Sequence, residues 1–200
     1  VLKKMLEKEP SSDKKADIVT NLTYLLRESV IYSGLIDQDQ GIVEEIIKIA
    51  NENSKDDKLR TAIAILIRES SAKKQARDKM IDNGCVSSLI EMAENSTTQE
   101  EKVNIARAII TIAQTDNLRK QFIEKGAIST LENMVKQTSD KKSKQLFKRV
   151  AHQLNPIKAK RVLWQIGEPV GNIVDDFNET FRNLADEINR RIPLNRGPRS

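Results

Sequence analysis

The chain has 200 residues, with 34 Lys and Arg against 29 Asp and Glu and a formal net charge of +5. Its 38% hydrophobic and 32% charged residues exclude an extended disordered chain, and 4% aromatics with few Gly and Pro disfavour a β-sandwich or barrel. A single cysteine excludes an internal disulfide framework, and with only one histidine beside it a zinc site is disfavoured.

Residues 1–40 read as a first helical unit. Val1 opens the chain, and the expectation is a start partway through a longer or processed product. Leu2, Met5 and Leu6 mark a short helix. A polar linker, Glu9-Pro10-Ser11-Ser12-Asp13, leads to a longer apolar pattern at Ile18, Leu22, Leu25 and Leu26.

The same arrangement then recurs from Gly41, Gly84 and Gly126, at spacings of 43 and 42. Each glycine reads as the stop of one helix and the start of the next. A short helix follows it: Val43, Ile46, Ile47 and Ile49; then Val86, Leu89, Ile90 and Met92; then Ile128, Leu131, Met134 and Val135. After a polar linker comes a long helix carrying Leu59, Ala62, Ile63, Leu66 and Ile67 in the first copy. The second carries Val103, Ala106, Ile109, Ile110 and Ala113, and the third Leu146, Phe147, Val150, Ala151 and Leu154. Thr98 with Glu101 matches a capping box at the start of the second long helix. Ala76–Met80 and Leu118–Ile123 read as third, short helices before the next glycine. The units are therefore expected at 1–40, 41–83, 84–125 and 126–155.

Asn155-Pro156 stops the last long helix. Residues 156–170 read as a segment capping the open end of the core with Trp164. A C-terminal amphipathic helix is expected over 171–192, with a stripe of Ile173, Phe177, Phe181, Leu184, Ile188 and Ile192. Residues 193–200 read as a flexible tail.

These features resemble an armadillo repeat. The resemblance rests on the Gly-(Ala/Ile/Cys)-(Ile/Val) starts, the Ala-rich run Ile105–Ala113 and the run Asn117–Gly126. It covers roughly residues 1–155 and implies an all-α fold. That fold is a right-handed armadillo/HEAT-like superhelical solenoid of about three to four repeats, with the C-terminal helical extension. It also implies that the long helices line a concave surface able to hold an extended peptide. The import receptors of the family hold basic peptides with a Trp and Asn ladder. Here the Trp-equivalent positions are assigned to Ile63, Arg107 and Gln145 and the Asn-equivalent ones to Ile67, Thr111 and Arg149, so that ladder is missing. The catenin-like branch uses a Lys/Arg groove for acidic peptides. By that resemblance Arg60, Arg68, Arg107, Lys144, Lys148 and Arg149 are expected to bind an acidic, extended protein segment. Phe177, Phe181, Leu184 and Ile188 offer a second contact. A weaker resemblance, over Leu118–Pro156, is to the UCS-domain myosin chaperones, through the Leu-Arg start, the Glu-Lys-Gly turn and the Asn-Pro exit.

No phosphate loop, nucleophile elbow, His-Glu-x-x-His or Cys-x-x-Cys is found. The expectation is a cytoplasmic scaffold or adaptor without catalysis, cofactor or metal. Chaperone or assembly-subunit roles stand as alternatives. Cys85, at a small apolar position of the repeat, reads as a packing residue. His152 has no matched nucleophile. The interspersed charges disfavour a nucleic-acid partner, and the weakly basic polar face of the tail helix disfavours a membrane one. The oligomeric state stays open.

Overall fold

The computed structural model describes residues 2–28, 40–52, 56–71 and 74–155. The expected capping segment, the C-terminal helix with Phe177, Phe181, Leu184 and Ile188, and the tail lie outside the described residues. Among the described residues there are ten helices and no strand. They are α1 (Leu2–Lys8), α2 (Ser12–Glu28), α3 (Gln40–Asn51), α4 (Asp57–Ser70), α5 (Lys74–Asp82), α6 (Cys85–Glu94), α7 (Gln99–Ile112), α8 (Asp116–Glu124), α9 (Ala127–Gln137) and α10 (Lys141–Leu154). All ten belong to one compact unit, Val1–Ala159.

The helices form two layers. The long helices pack in sequence, α2 on α4, α4 on α7 and α7 on α10. The shorter α1, α3, α6 and α9 pack on one another in the same order. Each long helix begins at a side-chain cap, and the caps of the last three recur every 42 residues. Asp56 accepts from the Leu59 N–H at 3.0 Å, Thr98 from Glu101 at 3.2 Å and Asp140 from Ser143 at 2.8 Å. Each cap satisfies one of the amides left orphaned at a helix start.

The buried positions keep the same period. Ile63, Ile105 and Phe147 are fully buried, as are Leu66, Ala108 and Val150. Burying a side chain of this kind contributes roughly 1.5–3 kcal/mol where the residue is Leu, Ile, Val or Phe. In α2, Val19 and Leu22 are buried and precede Ile63 and Leu66 by 44. The register of all four long helices is thereby fixed.

Gly84 and Gly126 hold φ of 87° and 90°, the left-handed region that lets α5 and α8 end and α6 and α9 begin at once. Gly41 differs from this expectation, because it is the second residue of α3. A hydroxyl four residues after each left-handed glycine ties the short-helix layer together. Ser88 donates to Asn51 and Thr130 to Glu94, and both also reach back to their glycine carbonyl.

Candidate functional site on the long-helix face

The fourth residue of each of the last three long helices is cationic: Arg60, Lys102 and Lys144, 42 apart. Two of them show what the position does. Arg60 is only 5% exposed, and its guanidinium donates to Glu101 of α7, to Asp57 and, at 3.3 Å, to the Asn95 carbonyl. The bond to Glu101 holds the Arg60 guanidinium above its ordinary range. Lys102 is 7% exposed and donates to Gln137 Oε1 at 2.8 Å. The two donors span the same 35 residues, to Asn95 and to Gln137. The position is a strut to the following repeat.

Arg60 therefore does not stand on the groove as expected. It is buried between α4 and α7 with its charge compensated. Lys144 occupies the same repeat position, and Lys148 occupies that of the buried Ala64 and Ala106. Both lysines are half-buried, neither lines the α7/α10 cleft, and each has a partner of its own. Arg68 is half-buried beside the groove, held by Glu69 and, at 3.5 Å, by Asn104 Oδ1. Glu101 makes only half of the expected capping box. Its amide bonds Thr98, but its carboxylate accepts from the Thr97 N–H at 3.1 Å and from Arg60.

The ninth residue of the same helices points elsewhere. Ile65, Arg107 and Arg149 are 42 apart and line the clefts between neighbouring long helices. This register revises the ladder assignment. Ile63 and Ile67 are fully buried core residues, equivalent to Ile105 and Ile109. Arg107 and Arg149 share one column. In the last three long helices it holds neither Trp nor Asn; its α2 member, 44 residues before Ile65, is Asn21.

Two open clefts result. The first, of about 400 Å³, is lined by Thr20, Lys58, Thr61, Ile65 and Glu100 together with Asp57. Its lining carries one cation and two carboxylates, and Lys58 and Asp57 each have a partner beside the cleft. Lys58 donates to Asp17 at 2.9 Å and to Asp13 at 3.4 Å, which raises the ammonium above its ordinary value. Asp57 accepts from Arg60 and Thr97. The second cleft, of about 300 Å³ between α7 and α10, is lined by Val103, Arg107, Lys142, Ser143, Gln145, Leu146 and Arg149. It has three cations and no carboxylate in its lining. The Arg107 carbonyl accepts from the Thr111 hydroxyl at 2.8 Å, but neither the Arg107 nor the Arg149 guanidinium has a hydrogen-bond or ion-pair partner among the described residues. Lys142 is a residue that reading cations by type missed. Its signal was the column Lys58, Glu100, Lys142, 42 apart, in which the sign alternates.

Cys85 is fully buried, and desolvation pushes its thiol up to about 12. A thiol so placed is inert packing. Among the described residues no group of His, Cys, Asp and Glu is placed to hold a metal ion, and no helix is long and apolar enough to cross a membrane.

The layered repeat is shared with proteins of known structure. Two crystal structures of engineered proteins superpose with TM-scores of 0.63 and 0.65 at 21% and 19% identity. The matches cover 76% and 79% of this chain but 62% and 66% of those proteins, so the chain spans just under two thirds of their length. A designed armadillo repeat protein matches with a TM-score of 0.64 at 17% identity, over 80% of this chain and 71% of its own. The fold is an armadillo-like helical repeat. In this armadillo-like frame α2, α4, α7 and α10 are the successive long helices, and the two clefts lie on the face they share. No family model matches the sequence, and no curated protein does.

Proposed function

We propose that this chain is a non-catalytic protein-binding scaffold that holds an extended, acidic segment along its long-helix face. The observation that carries the reading is the α7/α10 cleft, where Arg107, Arg149 and Lys142 meet with no carboxylate in the lining. The apolar floor of Val103 and Leu146 gives the segment something to pack on, and Gln145 can donate or accept along its backbone. Exposed charge in a cleft steers an oppositely charged partner and fixes its register. Packed helices lie about 8–10 Å apart. An extended chain advances about 3.3 Å per residue, so roughly seven to nine residues reach from the first to the fourth long helix.

The test uses a fluorescent peptide of about that length, alternating Asp with Ala and Ile. Its anisotropy at low salt measures binding. Arg107→Glu with Arg149→Glu should weaken binding by about a hundredfold or more, roughly a tenfold loss at each site. The helical circular dichroism should be unchanged. Lys125→Glu, an exposed change in the turn before Gly126, should leave affinity as it was. An unchanged affinity in the folded double variant rejects the site.

A further inference from the structure

We infer that the α7/α10 cleft is built for a phosphorylated serine or threonine in the bound segment, so that phosphorylation of the partner switches its capture. This rests on the reading of the cleft as the anion site and narrows its ligand.

The argument begins with charge. Three cations, Arg107, Lys142 and Arg149, line one cleft of about 300 Å³, and no carboxylate lines it with them. A single aspartate or glutamate brings one negative charge and two oxygens. That leaves most of the cleft's charge uncompensated. A phosphomonoester brings about −1.5 to −2 charges at pH 7 and three acceptor oxygens. Two guanidinium forks and one ammonium supply the matching donors. Planar forks bind phosphate in bidentate fashion, and the ammonium acts as a point charge beside them.

The second part is the state of the donors. Arg60, Arg68, Lys58 and Arg119 each have a carboxylate partner. Arg107 and Arg149 have none among the described residues, although they are one repeat apart on the same face. Arg77 is engaged as well, by the Gln114 side chain at 2.6 Å. Among the described residues the Arg107 and Arg149 guanidiniums have no such partner, and an anionic ligand can supply one.

The third part is position. The cleft has an apolar side formed by Val103 and Leu146 next to the cations. An extended strand sends alternate side chains to opposite sides. A phosphorylated residue can face the arginines while the backbone beside it runs over Gln145. The requirement is one phosphate on an extended segment, with no sequence-specific base or sugar contact. The cleft lining holds no aromatic platform on which a nucleobase could stack.

The experiment compares three neutral, Ala- and Gln-rich peptide probes that differ only at the centre: Ser, Asp and phosphoserine. Isothermal titration on the full chain should show the phosphoserine probe binding about tenfold or more tighter than the Asp probe, with the Ser probe weakest. Arg107→Gln and Arg149→Gln should each remove that advantage. Arg149→Lys should keep only part of it, because it retains charge and loses the fork. Lys125→Gln, in the exposed turn before Gly126, should not change it. Lowering the pH through about 6 protonates the phosphate once and should weaken the phosphoserine probe selectively. Equal affinity for the Asp and phosphoserine probes overturns the inference and leaves the acidic-segment reading standing. Failure of both these probes and of the Asp-rich peptide overturns the two together. An oligouridylate that binds more tightly than the phosphoserine probe through the same arginines assigns the cleft to nucleic acid and also overturns it.

Discussion

At the first cleft, lined from α2, α4 and the start of α7, Lys58 is paired with two aspartates, Asp13 and Asp17; at the α7/α10 cleft its repeat equivalent, Lys142, shares the lining with two arginines whose guanidiniums have no acid among the described residues. The backbones are alike, since the buried columns align across all four long helices, 44 residues from α2 to α4 and 42 at each later step, and the caps of the last three recur every 42. The difference lies in single side chains. Asp17 stands 44 residues before Thr61, and the next equivalent after Thr61 is Val103. Where the first cleft places an acid against its lysine, the second places an isopropyl group. Ile65 in the first becomes Arg107 and Arg149 around the second. An armadillo-like frame thus sets where side chains go, and a few substitutions decide whether a cleft is closed on itself or open to a ligand.

The largest expected effect concerns the boundary between the clefts. Arg60 and Glu101 are buried together where α4 meets α7. Removing one partner of a buried pair leaves an uncompensated charge and costs about 3–5 kcal/mol. Glu101→Ala should shift the urea midpoint accordingly. Lys102→Met, at the next boundary, removes an ammonium's bond to a neutral amide and should cost less, about 1.5–3 kcal/mol. The double change Arg60→Met with Glu101→Leu should recover most of the first loss, since an apolar pair can replace a buried ion pair. Equal costs at the two boundaries would refute the distinction between an ionic strut and a neutral one.

A smaller effect comes from exchanging the clefts' chemistry. Val103→Asp places a carboxylate on α7 where α2 has Asp17. It should engage Lys142 and weaken binding of the Asp-rich peptide by about tenfold, roughly 1.4 kcal/mol. Asp17→Val with Asp13→Ala removes both acids from Lys58, but Asp57 and Glu100 still line the first cleft, so binding of the Asp-rich peptide should not change there at either salt concentration. Anisotropy titrations at two salt concentrations read both variants. If Val103→Asp leaves affinity intact while the protein stays folded, the missing carboxylate is not what opens the second cleft.

Much of this frame was legible in the sequence. The left-handed turns at Gly84 and Gly126, the short helices after them and the long apolar helices were all marked by spacing. The facing of the cations was not. Arg60 and Arg68 read as one basic face because they are eight apart, yet Arg60 turns inward to an acid 41 residues away. Periodicity along one helix cannot report a partner on the next. Residues four and nine of a long helix are five positions apart, about 140° around the axis, so one faces a neighbouring repeat and the other the open face. The caps Asp56, Thr98 and Asp140 carried the register that separates them. Aligning the long helices on those caps places Arg60, Lys102 and Lys144 in one column and Ile65, Arg107 and Arg149 in another.

The smallest effect links the open cleft to acidity through its cap. Asp140 accepts both the amide and the hydroxyl of Ser143, at 2.8 and 2.6 Å. These bonds, with Lys142 close by, hold its carboxyl below the ordinary range. A carboxyl depressed in the folded state stabilises that state above its unfolded range, and the stabilisation is lost as pH falls through the folded value. Acid should therefore loosen the first turn of α10, where Lys142 and Ser143 line the cleft. The equivalent cap on α7 is Thr98, which carries no titratable group. Thr98→Ala should cost about 1 kcal/mol at every pH. Asp140→Asn should be nearly neutral at low pH and destabilising at pH 7, which flattens the acid limb of the stability profile. Amide exchange at Ser143, followed from pH 7 downward, separates the two caps. Protection lost on acidification in the native chain, but already low and pH-independent in Asp140→Asn once intrinsic exchange is divided out, would show that the charged cap governs that turn. Protection that stays constant in both would mean that packing against α7 holds the turn without it.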